Sequence, residues 1–165
     1  MRYLITGNGG GKTTSSLGVV MRSLAHNKKV LMIQFLKWKR DTGEMLFNHP
    51  NFEIHQFGRN GWHGFNSLDE EDMNICKNAV KFIIGKTIVN KYDTIILDEI
   101  NLVAYLNLLS ITEIKELLDY IPEEVNVVLT GRHAPKELIA LVDVANQINE
   151  VKTPKKFVCV EGVQY

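Results

Sequence analysis

Three short runs constrain this chain most: "VLMIQF" (30–35), "TIILD" (94–98) and "VNVVLT" (125–130). A strand with one wet face alternates apolar and polar residues. A nearly continuous apolar run is the mark of a strand covered on both faces, which is the usual state of parallel sheets flanked by helices. "RYLIT" (Arg2–Thr6) and the shorter "EIHQF" (Glu53–Phe57) read as two further strands. Helical spacing fills the intervals. Leu17, Val20, Met21 and Leu24 fall on one helix face, as do Met73, Cys76, Val80 and Ile83 behind a capping box of Ser67 and Glu70. Ser110 and Glu113 form a second capping box, ahead of Ile111, Ile114, Leu117, Leu118 and Ile121, with Pro122 as the stop. Pro135 opens a last helix through about Val142. Alternating strand and helix in this way predicts a three-layer α/β fold around a mostly parallel sheet.

At 165 residues the chain is expected to form a single domain over 1–165. Its 19 basic and 19 acidic residues balance, which argues against nucleic-acid binding by bulk charge. The chain opens on a strand rather than on a charged and then apolar leader, and no apolar run reaches the roughly 18 residues of a membrane span. Cys76 and Cys159 form no C-x-x-C pair and are expected to be reduced and buried, in a cytoplasmic protein.

Between the first strand and the first helix stands "TGNGGGKTT" (6–14). A phosphate-binding loop reads G-x-x-x-x-G-K-[ST], and here Gly11, Lys12 and Thr13 fit while Thr6 occupies the position of the first glycine. The flanks are right, with a strand before the loop and a helix after it. Gly9, Gly10 and Gly11 let the backbone turn its N–H groups toward phosphate oxygens, a donor set continued by the helix N-terminus. Gly7, Asn8, Gly9, Gly10, Gly11, Lys12, Thr13 and Thr14 are therefore the expected nucleotide phosphate site, with the Thr13 hydroxyl as a magnesium ligand. Asp98 and Glu99 close the buried strand "TIILD", at the carboxyl end where open α/β sheets bind ligands. Two carboxylates there suit Mg2+, which takes few protein ligands. The fold expected is thus the three-layer P-loop NTPase (RecA-like) kind.

"TGNGGGKTT", "VLMIQFLK", the "TGE" of 42–44, "IILDEI" and "VVLTGRHAPKEL" follow one another in an order that resembles the P-loop type ATP:corrinoid (cob(I)alamin) adenosyltransferases. The likeness runs over nearly the whole chain, and that family shares the threonine at the loop's start. The resemblance implies transfer of the 5′-deoxyadenosyl group from ATP to the Co(I) of a corrinoid, cobalamin or cobinamide, with release of triphosphate. Cobalt is the nucleophile, so no Ser, Cys or His nucleophile is required. It further implies that Lys12 and the loop amides hold phosphates, that Thr13 and Glu99 hold Mg2+ with Asp98 close by, and that Arg132 makes a further phosphate or substrate contact. Lys12 and Glu99 are the residues expected to matter most for catalysis. A homodimer and an electron-donating reductase are implied as well.

On the corrinoid side, the family's aromatic loop shields one axial face of cobalt. The corresponding stretch here is "GRNGWHGF" (58–65), with Trp62 as the first candidate and Phe65 as the second. His63 brings an imidazole where an axial donor is unwelcome. Gly10 stands where the family commonly has lysine. Two other functions stay open on the residues alone: a different P-loop NTPase or small-molecule kinase, with Glu99 acting on water or an acceptor hydroxyl, and a nucleotide-dependent corrinoid carrier.

Overall fold

The structure, a computed structural model, describes residues 1–38, 42–60, 67–154 and 158–163. Its six strands are β1 (Arg2–Thr6), β2 (Val30–Phe35), β3 (Phe52–Phe57), β4 (Thr94–Asp98), β5 (Asn126–Thr130) and β6 (Val144–Gln147). They lie in the order β3-β2-β4-β5-β1-β6, and every pairing is parallel. The helices are α1 (Lys12–Ala25), α2 (Gly43–Leu46), α3 (Glu70–Val89), α4 (Ile100–Tyr105), α5 (Ile111–Tyr120) and α6 (Lys136–Ile139). The expected α/β architecture is therefore present, with a wholly rather than mostly parallel sheet.

The apolar runs serve two cores at once. Side chains alternate across a strand, so Leu31, Ile33 and Phe35 of β2, Ile95 and Leu97 of β4, and Val127 and Leu129 of β5 pack on one face with residues of α3, α4 and α5. Val30 and Met32, Ile96 and Val128 turn to the other face and meet Val20 and Leu24 of α1. Burying one such side chain stabilises the fold by about 1.5–3 kcal/mol, and both faces gain from the same few residues.

Several local expectations change. The capping box of α3 is Asp69 with Asp72, not Ser67 with Glu70, and Arg59 pairs with both aspartates. This capping box and the arginine together hold the end of β3 to the start of α3. The Ser110–Glu113 box caps α5 as expected. Met21 and Met73 lie on the outward side of their helices, while Cys76 is buried and Cys159 exposed, against the expectation that both are in the core. Pro135 is the N-cap of a short α6, and the chain continues into β6. That strand reads poorly in the sequence because "VANQ" is mostly exposed and polar, as suits a sheet edge. Among the described residues no helix is long and apolar enough to cross a membrane.

Candidate active site

Parallel strands end together, so the turns after all six strands gather along one edge of the sheet. In register across that edge, on the α1 face, stands a polar row. Gln56 pairs with Gln34 and Gln34 with Asp98 in the strand ladders. These residues continue the positions of Ile54, Met32 and Ile96, which pack in the core under α1. The row is bonded sideways. Gln56 Nε2 donates to Gln34 Oε1 at 2.9 Å, Gln34 Nε2 donates to Asp98 Oδ2 at 3.0 Å, and Thr130 Oγ1 donates to Asp98 Oδ1 at 2.5 Å. Buried polar groups persist only when they are paired, and here the partners are one another.

The glycine loop sits above this row. Gly11 has φ 96° and ends the loop at the N-cap of α1, a left-handed turn that favours glycine. Gly7 has φ 106°, and a Cβ there would lie 2.2 Å from the Ile148 carbonyl oxygen. The strand end after β6 is pressed that close because Ile148 N–H donates to Thr6 O at 2.8 Å and Gly9 N–H donates to Ile148 O at 3.0 Å. The loop is thus held from below by β6. Asn8, Gly10, Gly11 and Thr14 are exposed at its rim.

Lys12 is 6% exposed and its ammonium donates to Gly9 O at 2.6 Å, folded over its own loop. Burial first, and then the Arg132 charge, lower its pKa, while Glu99 and Asp98 oppose the shift. Thr13 Oγ1 donates to Asp98 Oδ1 at 2.9 Å. A hydroxyl has one proton to give, so this bond leaves the Thr13 lone pairs for a cation.

Asp98 is fully buried and accepts four bonds, from Thr13 and Thr130 on Oδ1 and from Gln34 and Lys37 on Oδ2. Glu99 is its opposite. It adopts φ 66°, a left-handed conformation that is strained for a side-chain-bearing residue, and its N–H donates to Thr130 Oγ1 at 3.2 Å. Its Oε2 is buried without a hydrogen-bond partner. Burial and the Asp98 charge push the Glu99 carboxyl up, and Lys37, Lys12 and Arg132 pull it back. Beneath it, the Asn101 amide donates to Ile5 O at 3.1 Å and to Gly131 O at 3.2 Å, tying β1, the end of β5 and α4 together.

The structure therefore brings Lys12, Thr13, Asp98 and Glu99 together, with Arg132 within electrostatic reach of Lys12 and Glu99. Arg132 is exposed and, among the described residues, pairs with no carboxylate, Glu137 included. Trp62, His63 and Phe65 lie outside the described residues. No three His, Cys, Asp or Glu side chains gather among the described residues as a ready metal cage. The partnerless Glu99 oxygen and the Thr13 lone pairs are hard oxygen donors that fit Mg2+, an ion that completes its shell with water and phosphate.

A family model described as ATP:corrinoid adenosyltransferase BtuR/CobO/CobP matches residues 1–165. The chain belongs to this family. It is accordingly a transferase by family. A corrinoid adenosyltransferase of Escherichia coli K12 is 28% identical over 149 residues, which are 90% of this chain and 76% of that protein. Corrinoid adenosyltransferase CobA of Salmonella typhimurium is 28% identical over 151 residues, with the same coverage of 90% and 76%. Among solved structures, a KaiC-like protein of Pyrococcus horikoshii superposes with a TM-score of 0.62 at 16% identity, over 94% of this chain and 75% of its own. At that identity the likeness is one of fold, and it agrees with the P-loop architecture expected from the sequence.

Sequence reasoning passed over Gln34, Lys37, Glu44 and Thr130 as site residues, although each lies in a stretch that carries the family resemblance. A signal for Gln34 was present. An amide inside the apolar run "VLMIQF" must find partners where its strand ends. Thr130 ends its strand in the same way. Lys37 and Glu44 follow the strand and carry no such periodic cue.

Proposed function

We propose that this transferase binds MgATP along the carboxyl edge and passes the 5′-deoxyadenosyl group to the Co(I) of a corrinoid, cobalamin or cobinamide. In this reaction the Co(I) electron pair attacks the ribose C5′, the C5′–O bond breaks, and triphosphate leaves with the electrons of that bond. Attack supplied by the acceptor leaves the protein two tasks, orientation and stabilisation of charge on the leaving group. Lys12 and the amides of Gly10–Thr14 hold the phosphates, the Gly9 N–H being taken by the Ile148 carbonyl, and Arg132 adds a second cation at the exposed rim. Thr13 and Glu99 hold Mg2+, which neutralises charge on the triphosphate, and Asp98 fixes the Thr13 hydroxyl. Trp62 and Phe65 remain the residues proposed to face the corrinoid.

The observation that carries this reading is the division of labour between two adjacent carboxylates: Asp98 satisfied on every side, and Glu99 with a buried oxygen left for a ligand. The reading extends to a homodimer in the cytoplasm that receives its electron from a reductase. A second reading rests on the same Glu99 oxygen. A partnerless, raised carboxyl beside a phosphate loop also suits a general base for hydrolysis or phosphoryl transfer. The products decide between them. Incubating the protein with Mg2+, ATP and chemically reduced corrinoid should give triphosphate and an adenosylated corrinoid, whereas ADP would establish the second reading.

A further inference from the structure

Lys37 follows β2, and the backbone is bent to place it. Leu36 takes φ 57°, left-handed and strained for leucine, so the chain turns back toward β4 as the strand ends. Gly58 packs on this bend so closely that a Cβ there would lie 2.6 Å from the Lys37 nitrogen. The Lys37 side chain is 15% exposed, and its Nζ stands 2.7 Å from Asp98 Oδ2 and 3.9 Å from Glu44 Oε1. Glu44 is itself fixed by the Gln34 amide at 2.9 Å.

Two features make this more than an internal ion pair. An ammonium carries three donors, and only the bond to Asp98 is of hydrogen-bond length among the described residues, since Glu44 at 3.9 Å is an ionic neighbour. The placement is also directional. Thr13 takes Oδ1 of Asp98 and Lys37 takes Oδ2, so the hydroxyl of the phosphate loop and this ammonium flank one carboxylate from opposite sides. An anion seated on Lys12 and Thr13 and long enough to extend past Asp98 meets Lys37 next.

We propose that Lys37 is a further ligand-binding residue of this site, a cation that contacts the part of a polyphosphate lying beyond the phosphates held by the glycine loop. The proposal rests on the phosphate-binding part of the reading above and not on adenosyl transfer. Glu44, itself fixed by the Gln34 amide, is the second carboxylate beside this ammonium.

Direct binding of inorganic polyphosphates in the presence of Mg2+, followed by calorimetry on the whole chain, tests this without turnover. Lys37→Gln should weaken triphosphate on the order of tenfold or more, as loss of a charge-assisted hydrogen bond does, and leave pyrophosphate nearly unchanged. Lys37→Arg should recover most of the triphosphate affinity. A purely structural lysine acts through Asp98 and Thr13, so its loss weakens both ligands alike. Equal weakening, or no weakening of either in a folded variant, overturns the proposal. Should Lys37→Gln not fold, the unaltered protein provides the measurement. Triphosphate should then protect Lys37 from reductive methylation and pyrophosphate should not, and equal protection by the two overturns the proposal. A protein that binds triphosphate with this dependence yet transfers no adenosyl group loses the proposed reaction and keeps the Lys37 assignment.

Discussion

Thr13, in the first turn of α1, donates its hydroxyl proton to Asp98 at the end of β4 at 2.9 Å, although β5 lies between β4 and the β1 strand that leads into α1. The bond links the phosphate loop to the acidic strand end and decides which way the Thr13 lone pairs face. Much of what the site can do follows from how such contacts divide the charged groups into those that are satisfied and those left for ligand.

Lys12 belongs to the second group. Among the described residues its hydrogen-bond partner is the Gly9 carbonyl, and burial already lowers its pKa, so its charge is held at a cost to the fold. Lys12→Ala should therefore leave thermal stability close to that of the parent. Activity should fall by the ~3–4 kcal/mol typical of a lost transition-state electrostatic contact, a factor of about 100–1,000. Steady-state rates together with a melting curve check this; a folded variant with near-parental kcat/KM removes Lys12 from the site.

Glu99→Gln separates the two readings of that side chain. A neutral amide oxygen is a poorer ligand for a hard cation, so the variant should need more Mg2+ to reach half-maximal rate. A general base loses rate instead and keeps its magnesium titration. Magnesium titrations of parent and variant under otherwise identical conditions tell the two apart.

Gly7 is where the fold and the loop meet. Replacing it with alanine puts a Cβ at φ 106° and within 2.2 Å of the Ile148 carbonyl oxygen, and backbone is not a neighbour that yields easily. Gly7→Ala should be destabilising by roughly 1–3 kcal/mol and should loosen β6 from the loop. Gly10→Ala, with open space around its Cβ position, should be close to neutral. Chemical denaturation of both variants compares them; equal stabilities would mean that the close approach at Gly7 is not maintained in solution.

The legible parts of this molecule are those with a period or a spacing. Apolar runs of β2, β4 and β5 could be read as strands covered on both faces because their alternate residues feed two cores. Lys12 and Thr13 could be read because a phosphate loop fixes their offset. β6 could not, since an exposed edge strand has no apolar pattern to reveal it. Asp98 and Glu99 were visible as a pair, but nothing in "LDEI" says which is buried in hydrogen bonds and which keeps a vacant oxygen. That division depends on Gln34, Lys37 and Thr130 arriving from neighbouring strands, and register across a sheet is not written in any one segment.

Away from the site, Glu53 gives a pH signature of the fold itself. Burial pushes its carboxyl up, but hydrogen bonds from Lys86, Tyr92 and His55 outweigh it and hold the pKa at about 2. Its Oε2 accepts from the Tyr92 hydroxyl at 2.5 Å and its Oε1 contacts His55 Nε2 at 2.7 Å, so β3 is tied through it to α3 and to the approach to β4. A folded-state pKa below the unfolded value of 4.5 means that the contribution is complete above about pH 4.5 and is lost as pH falls toward 2. Allowing for solvent screening at this partly exposed position, its size is on the order of 1 kcal/mol. Glu53→Gln should therefore be less stable than the parent at pH 6 and lose that difference by pH 2. Urea unfolding at intervals between those limits gives the two curves, and a gap that stays constant down to pH 2 would show that the Glu53 charge plays no part.

Asp98→Asn is the most severe change predicted, and it follows from counting bonds. The carboxylate accepts from Thr13, Thr130, Gln34 and Lys37. An amide has only one acceptor oxygen, and its NH2 would confront two of those donors whichever way it turns. If the NH2 faces β2, it meets the Gln34 amide and leaves the Lys37 ammonium without its close anion. If it faces α1, both threonine hydroxyls must rotate and the Thr13 lone pairs no longer point outward. Breaking one side of a buried charge pair costs about 3–5 kcal/mol, so the variant should unfold at clearly lower denaturant and lose its response to Mg2+. Asp98→Asn with Lys37→Gln removes the uncompensated ammonium and should regain part of the stability without regaining the magnesium response. Unfolding curves and magnesium titrations of the single and double variants measure the two effects separately. A double variant no more stable than the single would mean that the Lys37–Asp98 contact contributes nothing to the fold.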